Sequence, residues 1–128
     1  MIEGVPSLEH TFDVSAGAVL SLAIQNGTTT AYAGCQDGHV KVLDLEMKYA
    51  VRTIIAQDAI DILSLSLLDS DLYTCSANGQ VQRWSASFDC TSSWRAHDGI
   101  VLCSIITSNA GGKCKLVTGG NDNCVNVR

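Results

Sequence analysis

Short runs of alternating apolar and polar residues, separated by turn residues, dominate the chain. The run VKVLDL (40–45) alternates, and the turn dipeptides Asp-Gly and Asn-Gly stand at 37–38 and 78–79. Val, Ile, Thr and Tyr are abundant in these runs, and helical periodicity never persists beyond two turns. In the middle of the chain we predict four strands, near 60–67, 71–77, 80–85 and 90–95. The pattern therefore predicts an all-β protein.

Three landmarks recur in the same order at intervals of 40 to 44 residues. The first is a serine between apolar residues, at Ser21, Ser64 and Ser104. The second is a valine after a turn, at Val40, Val81 and Val125. The third is the segment 51–58, which matches 91–98 at an offset of 40. Because about 40 to 45 residues with four strands form one β-propeller blade, we expect a partial, open propeller of antiparallel blades.

The predicted propeller spans residues 10–128, after an N-terminal lead-in at 1–9. Its blades are expected at about 15–55, 56–95 and 96–128, the last of them truncated. A closed ring of seven blades needs on the order of 300 residues, so this chain is too short to close one. We therefore expect an N-terminal fragment of a larger protein. The segment HTFDV (10–14) is a candidate for the outer strand that latches the last blade of the complete ring.

The residues at the repeated positions resemble the WD40 family. DGHVKVLDL (37–45) places Asp44 at the Asp of the Trp-Asp pair, and NGQVQRWS (78–85) places Trp84 at its Trp. AHDGIVLCSI (96–105) places His97 at the blade entrance. Leu43 and Ser85 replace the other members of the two pairs. The similarity covers residues 10–128 and implies incomplete WD40 propeller blades.

WD40 blades often hold a buried hydrogen-bonded tetrad of His, Ser or Thr, Asp and Trp. The resemblance implies these candidates, from the third unit to the first: His97, Thr118 and Asp122, then Thr74 and Trp84, then Asp37. Arg128 takes the Trp position of the third unit, Gln57 and Asn78 are substitutes in the second, and Ala33 and Leu43 fill positions in the first. The implied role is structural, since a buried polar group is costly unless its partners are present.

Two longer stretches carry a narrower resemblance. CQDGHVKVLDLEMKYAVRTII (35–55) and DLYTCSANGQVQRWSASFDC (71–90) look like the N-terminal propeller of fungal subunits of the glutathione-degrading peptidase complex. In that family a metallopeptidase-like domain follows the propeller. The resemblance implies a scaffolding part in glutathione breakdown, with every zinc ligand outside this chain.

Charge and cysteine spacing exclude several classes of protein. The net charge of −5 and the lack of a basic cluster argue against a nucleic-acid partner. The apolar runs are too short to span a bilayer, and no apolar leader begins the chain, so we expect a cytoplasmic protein. The six cysteines form no CxxC pair and are expected to be free, buried thiols. We predict no metal and no cofactor.

A few residues invite a chemical interpretation. His97, Asp98 and Ser104 resemble a catalytic triad only in composition, because the serine recurs in units that have no His. His39 is expected to be solvated at a hairpin tip, and AGGKCK (110–115) to be a surface loop without the spacing of a phosphate loop. Trp94 is expected to pack inside the propeller or, beside Arg95, to form a surface hot spot.

Two functions remain open at this level. The first is a non-catalytic scaffold that binds other proteins through propeller faces and loops. The alternative is the propeller part of a multidomain metallopeptidase subunit acting in glutathione or peptide degradation, with its catalytic domain downstream. Both predict that this chain is not itself an enzyme. The unpaired strand edges of an isolated open propeller also predict self-association.

Overall fold

The computed structural model describes residues 4–14, 16–108 and 111–128, which form eleven strands and no helix. The first sheet contains β1 (Val19–Ile24), β2 (Thr30–Cys35), β3 (His39–Asp44) and β4 (Tyr49–Ile55). The second contains β5 (Ile62–Leu68), β6 (Asp71–Ser76), β7 (Gln80–Trp84) and β8 (Cys90–Arg95). The third contains β9 (Val101–Ser108), β10 (Cys114–Gly120) and β11 (Val125–Val127).

Each sheet is an antiparallel meander whose strand order follows the chain. The first strands, β1, β5 and β9, contact one another in succession, and β4 and β8 lie at the far edges of their sheets. Three consecutive propeller blades have this arrangement. The predicted all-β fold of antiparallel blades is therefore confirmed, and the strands predicted between 60 and 95 lie within two residues of those observed. The exact blade limits within the connecting loops stay a prediction.

The same turn joins the second and third strands of every sheet. Its first residue is Asp or Asn, whose side-chain oxygen accepts a hydrogen bond from the backbone N–H two residues later, at Asp37, Asn78 and Asp122. The next residue has a positive φ, at Gly38, Gly79 and Asn123. Glycine adopts this conformation without a steric penalty, and Asn tolerates it better than most residues. Local chemistry therefore sets these three hairpins.

Two apolar clusters join neighbouring sheets. We call the face of a sheet that points toward the next sheet in the chain its forward face, and the opposite face its backward face. The first cluster includes Tyr32, Val40, Val42, Ile54, Ile62, Leu65, Leu72 and Trp84. The second includes Cys75, Val81, Ala96, Val101 and Leu116, with Tyr73, Trp94 and Ile106 packed against it. Fully burying one such aliphatic side chain contributes about 1.5–3 kcal/mol, so the sheets stabilise one another.

Hydroxyl groups also connect the sheets near their first strands. The Ser21 hydroxyl donates to the backbone carbonyl of Ile62 at 3.1 Å. Ser104 Oγ lies 2.7 Å from the hydroxyl oxygens of both Ser64 and Ser66. These polar contacts lie between sheets, so they fix how neighbouring blades sit against each other.

The predicted equivalence of Ser104 with the two earlier serines is wrong by one residue. Ser21 pairs with Gly34 on the forward face of the first sheet. Gly119 takes the place of Gly34 in the third sheet, and its partner is Cys103. Because a shift of one residue along a strand moves the side chain to the other face, Ser104 points backward, toward the second sheet.

The N-terminal segment covers the backward face of the first sheet. Residues 10–14, predicted as an outer strand, form no strand. Phe12 and Val14 instead pack against a buried cluster of Ala16, Ala31, Ala33, Cys35 and Leu43. Part of the apolar surface that a preceding blade would cover is thus shielded by this chain's own residues.

The predicted burial of the cysteines is correct for only two of them. Cys35 and Cys75 are buried, whereas Cys90, Cys103, Cys114 and Cys124 are exposed, and all six thiols are free. Cys103 lies on the forward face of the third sheet, and Cys90 begins the outer strand β8. Exposure follows from position in the blade, which cysteine count and spacing do not reveal.

Candidate functional site

The third sheet contains a hydrogen-bonded set formed by the buried His97 and Thr118 and the partly exposed Asp122. His97 lies between β8 and β9, and its side chain is 0% exposed. Its Nε2 is 2.8 Å from Thr118 Oγ1, and its Nδ1 is 3.0 Å from an Asp122 carboxylate oxygen. Asp122 also accepts hydrogen bonds from the backbone N–H groups of Asp98 and Cys124. The structure thus brings together the three residues proposed for this unit.

The chemistry of the groups fixes the proton positions in this set. A carboxylate only accepts hydrogen bonds, so Nδ1 of His97 carries a proton. In the tautomer with this proton, Nε2 accepts from the Thr118 hydroxyl. Partial desolvation acts to raise the pKa of Asp122, but hydrogen bonds from His97 and from two backbone N–H groups outweigh it and lower that pKa. Asp122 therefore remains ionised and holds the imidazole in one tautomer.

In the second sheet the corresponding residues form two separate pairs. The indole N–H of Trp84 donates to Thr74 Oγ1 at 3.1 Å, and both residues are buried. The Asn78 amide donates to Gln57 Oε1 at 3.2 Å. The substitutes Gln57 and Asn78 therefore bond to each other.

The first sheet uses Asp37 differently. One Asp37 oxygen accepts from the His39 backbone N–H, and the other lies 3.1 Å from His39 Nδ1. The prediction of a solvated His39 is wrong, because this residue begins β3, is half-buried and pairs with Asp37. The Ala33 and Leu43 positions belong to the apolar cluster under the N-terminal segment. This blade therefore replaces most of the polar set with apolar packing.

Arg128 takes the place in the third sheet that Trp84 has in the second. It exchanges two backbone hydrogen bonds with Leu116, just as Trp84 lies opposite Leu72. Its guanidinium lies 5.5 Å from the ring centroid of Trp94, across the boundary between the second and third sheets. Trp94 packs against the apolar cluster there, as the first of its two predicted roles requires.

The buried set has the geometry of a support rather than of a reactive centre. Thr118 is 4% exposed, and its hydroxyl is occupied by the imidazole. Ser104 bonds to the serines of the second sheet, so it completes no triad with His97. Among residues 4–14, 16–108 and 111–128, no group of three or more His, Cys, Asp and Glu side chains is suitably placed to hold a metal ion. The same residues include no helix long and apolar enough to cross a membrane.

Sequence reasoning missed a cavity between the second and third sheets. It has a volume of about 230 Å³ and is lined by Tyr73, Trp94, Ile106, Lys115, Leu116 and Arg128 among others. Trp94 was the one residue of the cavity that the sequence singled out. The other residues that line the cavity come from five different strands or their ends. Only the packing of two sheets brings them together.

The antiparallel sheets, their contacts through the first strands and the His-Thr-Asp set define a class of protein. The chain has the fold of a WD40 β-propeller, as its sequence resemblance predicted. No family model matches the chain, so this assignment rests on the fold and on its relatives.

Three similar proteins support the assignment. The chain is 32% identical over 96 residues to the APC/C activator protein CDC20 of Saccharomyces cerevisiae, a match covering 73% of this chain and 15% of that protein. A chain in a crystal structure of the mitotic checkpoint complex superposes with a TM-score of 0.77 at 23% identity, covering 91% of this chain and 35% of that one. Sqt1 of Saccharomyces cerevisiae superposes with a TM-score of 0.75 at 20% identity, covering 96% and 34%. At these identities the two structures demonstrate the fold alone.

The chain spans only 15% of the length of its curated relative. None of these three proteins is described as a peptidase subunit. The resemblance to glutathione-degrading peptidase subunits therefore stays a prediction without support from these relatives.

Proposed function

We propose that the chain is a non-catalytic scaffold that binds other proteins. The observation that carries this proposal is the hydrogen-bonded set of His97, Thr118 and Asp122, in which the buried His97 and Thr118 and the partly exposed Asp122 are used to hold one blade together. Such a set supports the loops and faces around it, which remain available to partners. The 32% identity to the APC/C activator protein CDC20 supports a role in assembly with other proteins.

We also propose that these blades act within a larger ring. The forward face of the third sheet leaves Ile105, Val125 and Val127 exposed at 64%, 70% and 56%. Blades contact only their neighbours, so a further blade would cover this surface. In this proposal the chain is the N-terminal part of a longer protein, and it works in the cytoplasm.

Direct binding and turnover measurements on the same preparation test the scaffold function. We expect cross-linking and mass spectrometry of the tagged parent protein to identify a partner that the purified chain binds directly, with no hydrolysis of fluorogenic peptide or ester substrates. The matched variant is Asp122→Asn, which removes the charge of the polar set and keeps the size of the side chain. Turnover that disappears in this variant, without loss of folding, would refute the proposal.

The alternative function places these blades in a metallopeptidase subunit of glutathione or peptide degradation. It rests only on the resemblance of residues 35–55 and 71–90 to that family, so we rank it second. Sequencing the parent transcript separates the two functions. Blades followed by a metallopeptidase domain favour the alternative, and blades alone favour the scaffold.

A further inference from the structure

The cavity between the second and third sheets has an apolar and aromatic wall. Tyr73 and Trp94 meet edge to face with their ring centroids 6.5 Å apart, and Ile106 and Leu116 lie opposite on the third sheet. Its volume is about 230 Å³. An apolar cavity of about 150 Å³ accommodates benzene, so this space is large enough for one aromatic or large aliphatic side chain.

One wall of the cavity carries a hydrogen-bond donor without an acceptor. The indole nitrogen of Trp94 is buried and has no hydrogen-bond partner among the residues that the structure describes. By contrast, the indole N–H of Trp84 donates to Thr74. Leaving a buried donor unpaired costs about 1–3 kcal/mol, and such a group is rare in a folded protein. Because this nitrogen is closed off from solvent, only the rest of the Trp94 side chain can contact a bound molecule.

The rim of the cavity is positively charged, although the whole chain is acidic. Arg128 lies over Trp94, and Lys115 lines the same cavity. Across the described ranges, neither cation is within salt-bridge distance of a carboxylate, whereas the nearby Arg83 is paired with Asp71. In a chain of net charge −5, two uncompensated cations beside an aromatic wall form a local site for negative charge.

We propose that this cavity binds a short acidic peptide segment of a partner protein. One aromatic or large aliphatic side chain of the segment fills the space between Tyr73 and Leu116. A neighbouring Asp or Glu pairs with Arg128 and Lys115. The inference rests on the proposed scaffold function and names the chemistry of what the scaffold recognises. A nucleic acid fits less well, because the net negative charge of the chain repels a phosphate backbone.

Fluorescence polarisation with short labelled peptides tests the proposal on the full chain. The probe peptides carry one central Phe or Leu flanked by Asp and Glu, and the comparison peptides replace either the central residue by Ala or the acids by Asn and Gln. We expect binding to the probe peptides and at least about tenfold weaker binding to both comparison sets. Labelled oligothymidine serves as the nucleic-acid probe and is expected to bind no better than the comparison peptides.

Matched variants locate the site. Arg128→Glu and Lys115→Glu are expected to weaken probe binding by about tenfold or more. Lys48→Glu, the same charge change in the exposed turn between β3 and β4, is expected to leave it unchanged. Trp94→Ala removes the aromatic wall of the cavity, and it is also expected to weaken binding. Thermal unfolding of each variant separates loss of binding from loss of folding.

The outcomes distinguish this inference from the scaffold function. Equal effects of Lys48→Glu and Arg128→Glu, or stronger binding of oligothymidine, would overturn the peptide site. A partner that binds the chain equally well in Arg128→Glu and Lys115→Glu would also overturn it and leave the scaffold function standing. Absence of any protein partner, with no binding of the probe peptides, would overturn both.

Discussion

Replacing Thr118 by Val is expected to destabilise the third blade by about 1–3 kcal/mol. Val matches Thr closely in shape, so packing at this position, which is 4% exposed, changes little. The hydroxyl that donates to His97 Nε2 at 2.8 Å is lost. Because the His97 side chain is 0% exposed, no bulk water replaces that donor. The expected loss is therefore the cost of one unsatisfied buried acceptor.

Urea unfolding measures this loss, with tryptophan fluorescence and circular dichroism as independent probes and with the monomer population checked beforehand. The matched control is Thr107→Val, the same chemical change on the neighbouring strand β9 at an exposed position. We expect this control to change the free energy of unfolding by no more than about 0.5 kcal/mol. Equal effects of the two substitutions would refute the conclusion that the Thr118 hydroxyl supports the buried set.

Three further predictions concern the thiols, the Asp122 carboxylate and the exposed apolar face. At about pH 8 a thiol reagent should quickly label the four exposed cysteines of the folded chain. Cys35 and Cys75 should react only on unfolding, because both are buried and burial raises the pKa of Cys75 to about 11. Rapid labelling of all six cysteines would contradict this. The pKa of Asp122 is lower in the folded state, so its stabilising effect is present above its ordinary value of 3.8 and is lost as the pH falls through the folded-state pKa. Unfolding curves at a series of pH values should therefore show a stability difference between the wild type and Asp122→Asn that shrinks in acid, and a constant difference would count against the hydrogen bonds described. The isolated chain should self-associate through the exposed side chains of Ile105, Val125 and Val127. Light scattering should therefore detect oligomers, and Val125→Lys should reduce their proportion. A monodisperse monomer at high concentration would disprove this.

The repeat and its turns were predictable because their causes are local. At Asp37 and Asn78 the side-chain oxygen accepts a hydrogen bond from the backbone N–H two residues later, and the next residue is a glycine with a positive φ. These two local features are enough to specify a hairpin. Alternating apolar residues then mark the strands on either side. The class of fold follows from the repetition of this unit at the blade period.

Register in the third unit was not predictable in the same way. Two neighbouring positions, Cys103 and Ser104, each fit the repeated small polar residue, and the sequence alone favoured Ser104. The pairing of Cys103 with Gly119 shows that Cys103 is the equivalent of the earlier serines. Side chains alternate between the two faces of a strand, so Ser104, one residue later, points to the other face. A match between short sequence segments does not show which face of the strand a residue occupies, because the burial of each face depends on the adjacent sheet.

The hydrophobic pattern and the turn residues were sufficient to predict the repeated antiparallel blades and their order, and the resemblance to WD40 blades supplied His97, Thr118 and Asp122. Tertiary structure alone decided what meets across blades: the contact of Arg128 with Trp94, the buried indole N–H and the cavity beside it. The physical reason is the range of the interactions. Turns and hairpins depend on residues close in the chain, whereas a cavity between two sheets depends on how their side chains pack together.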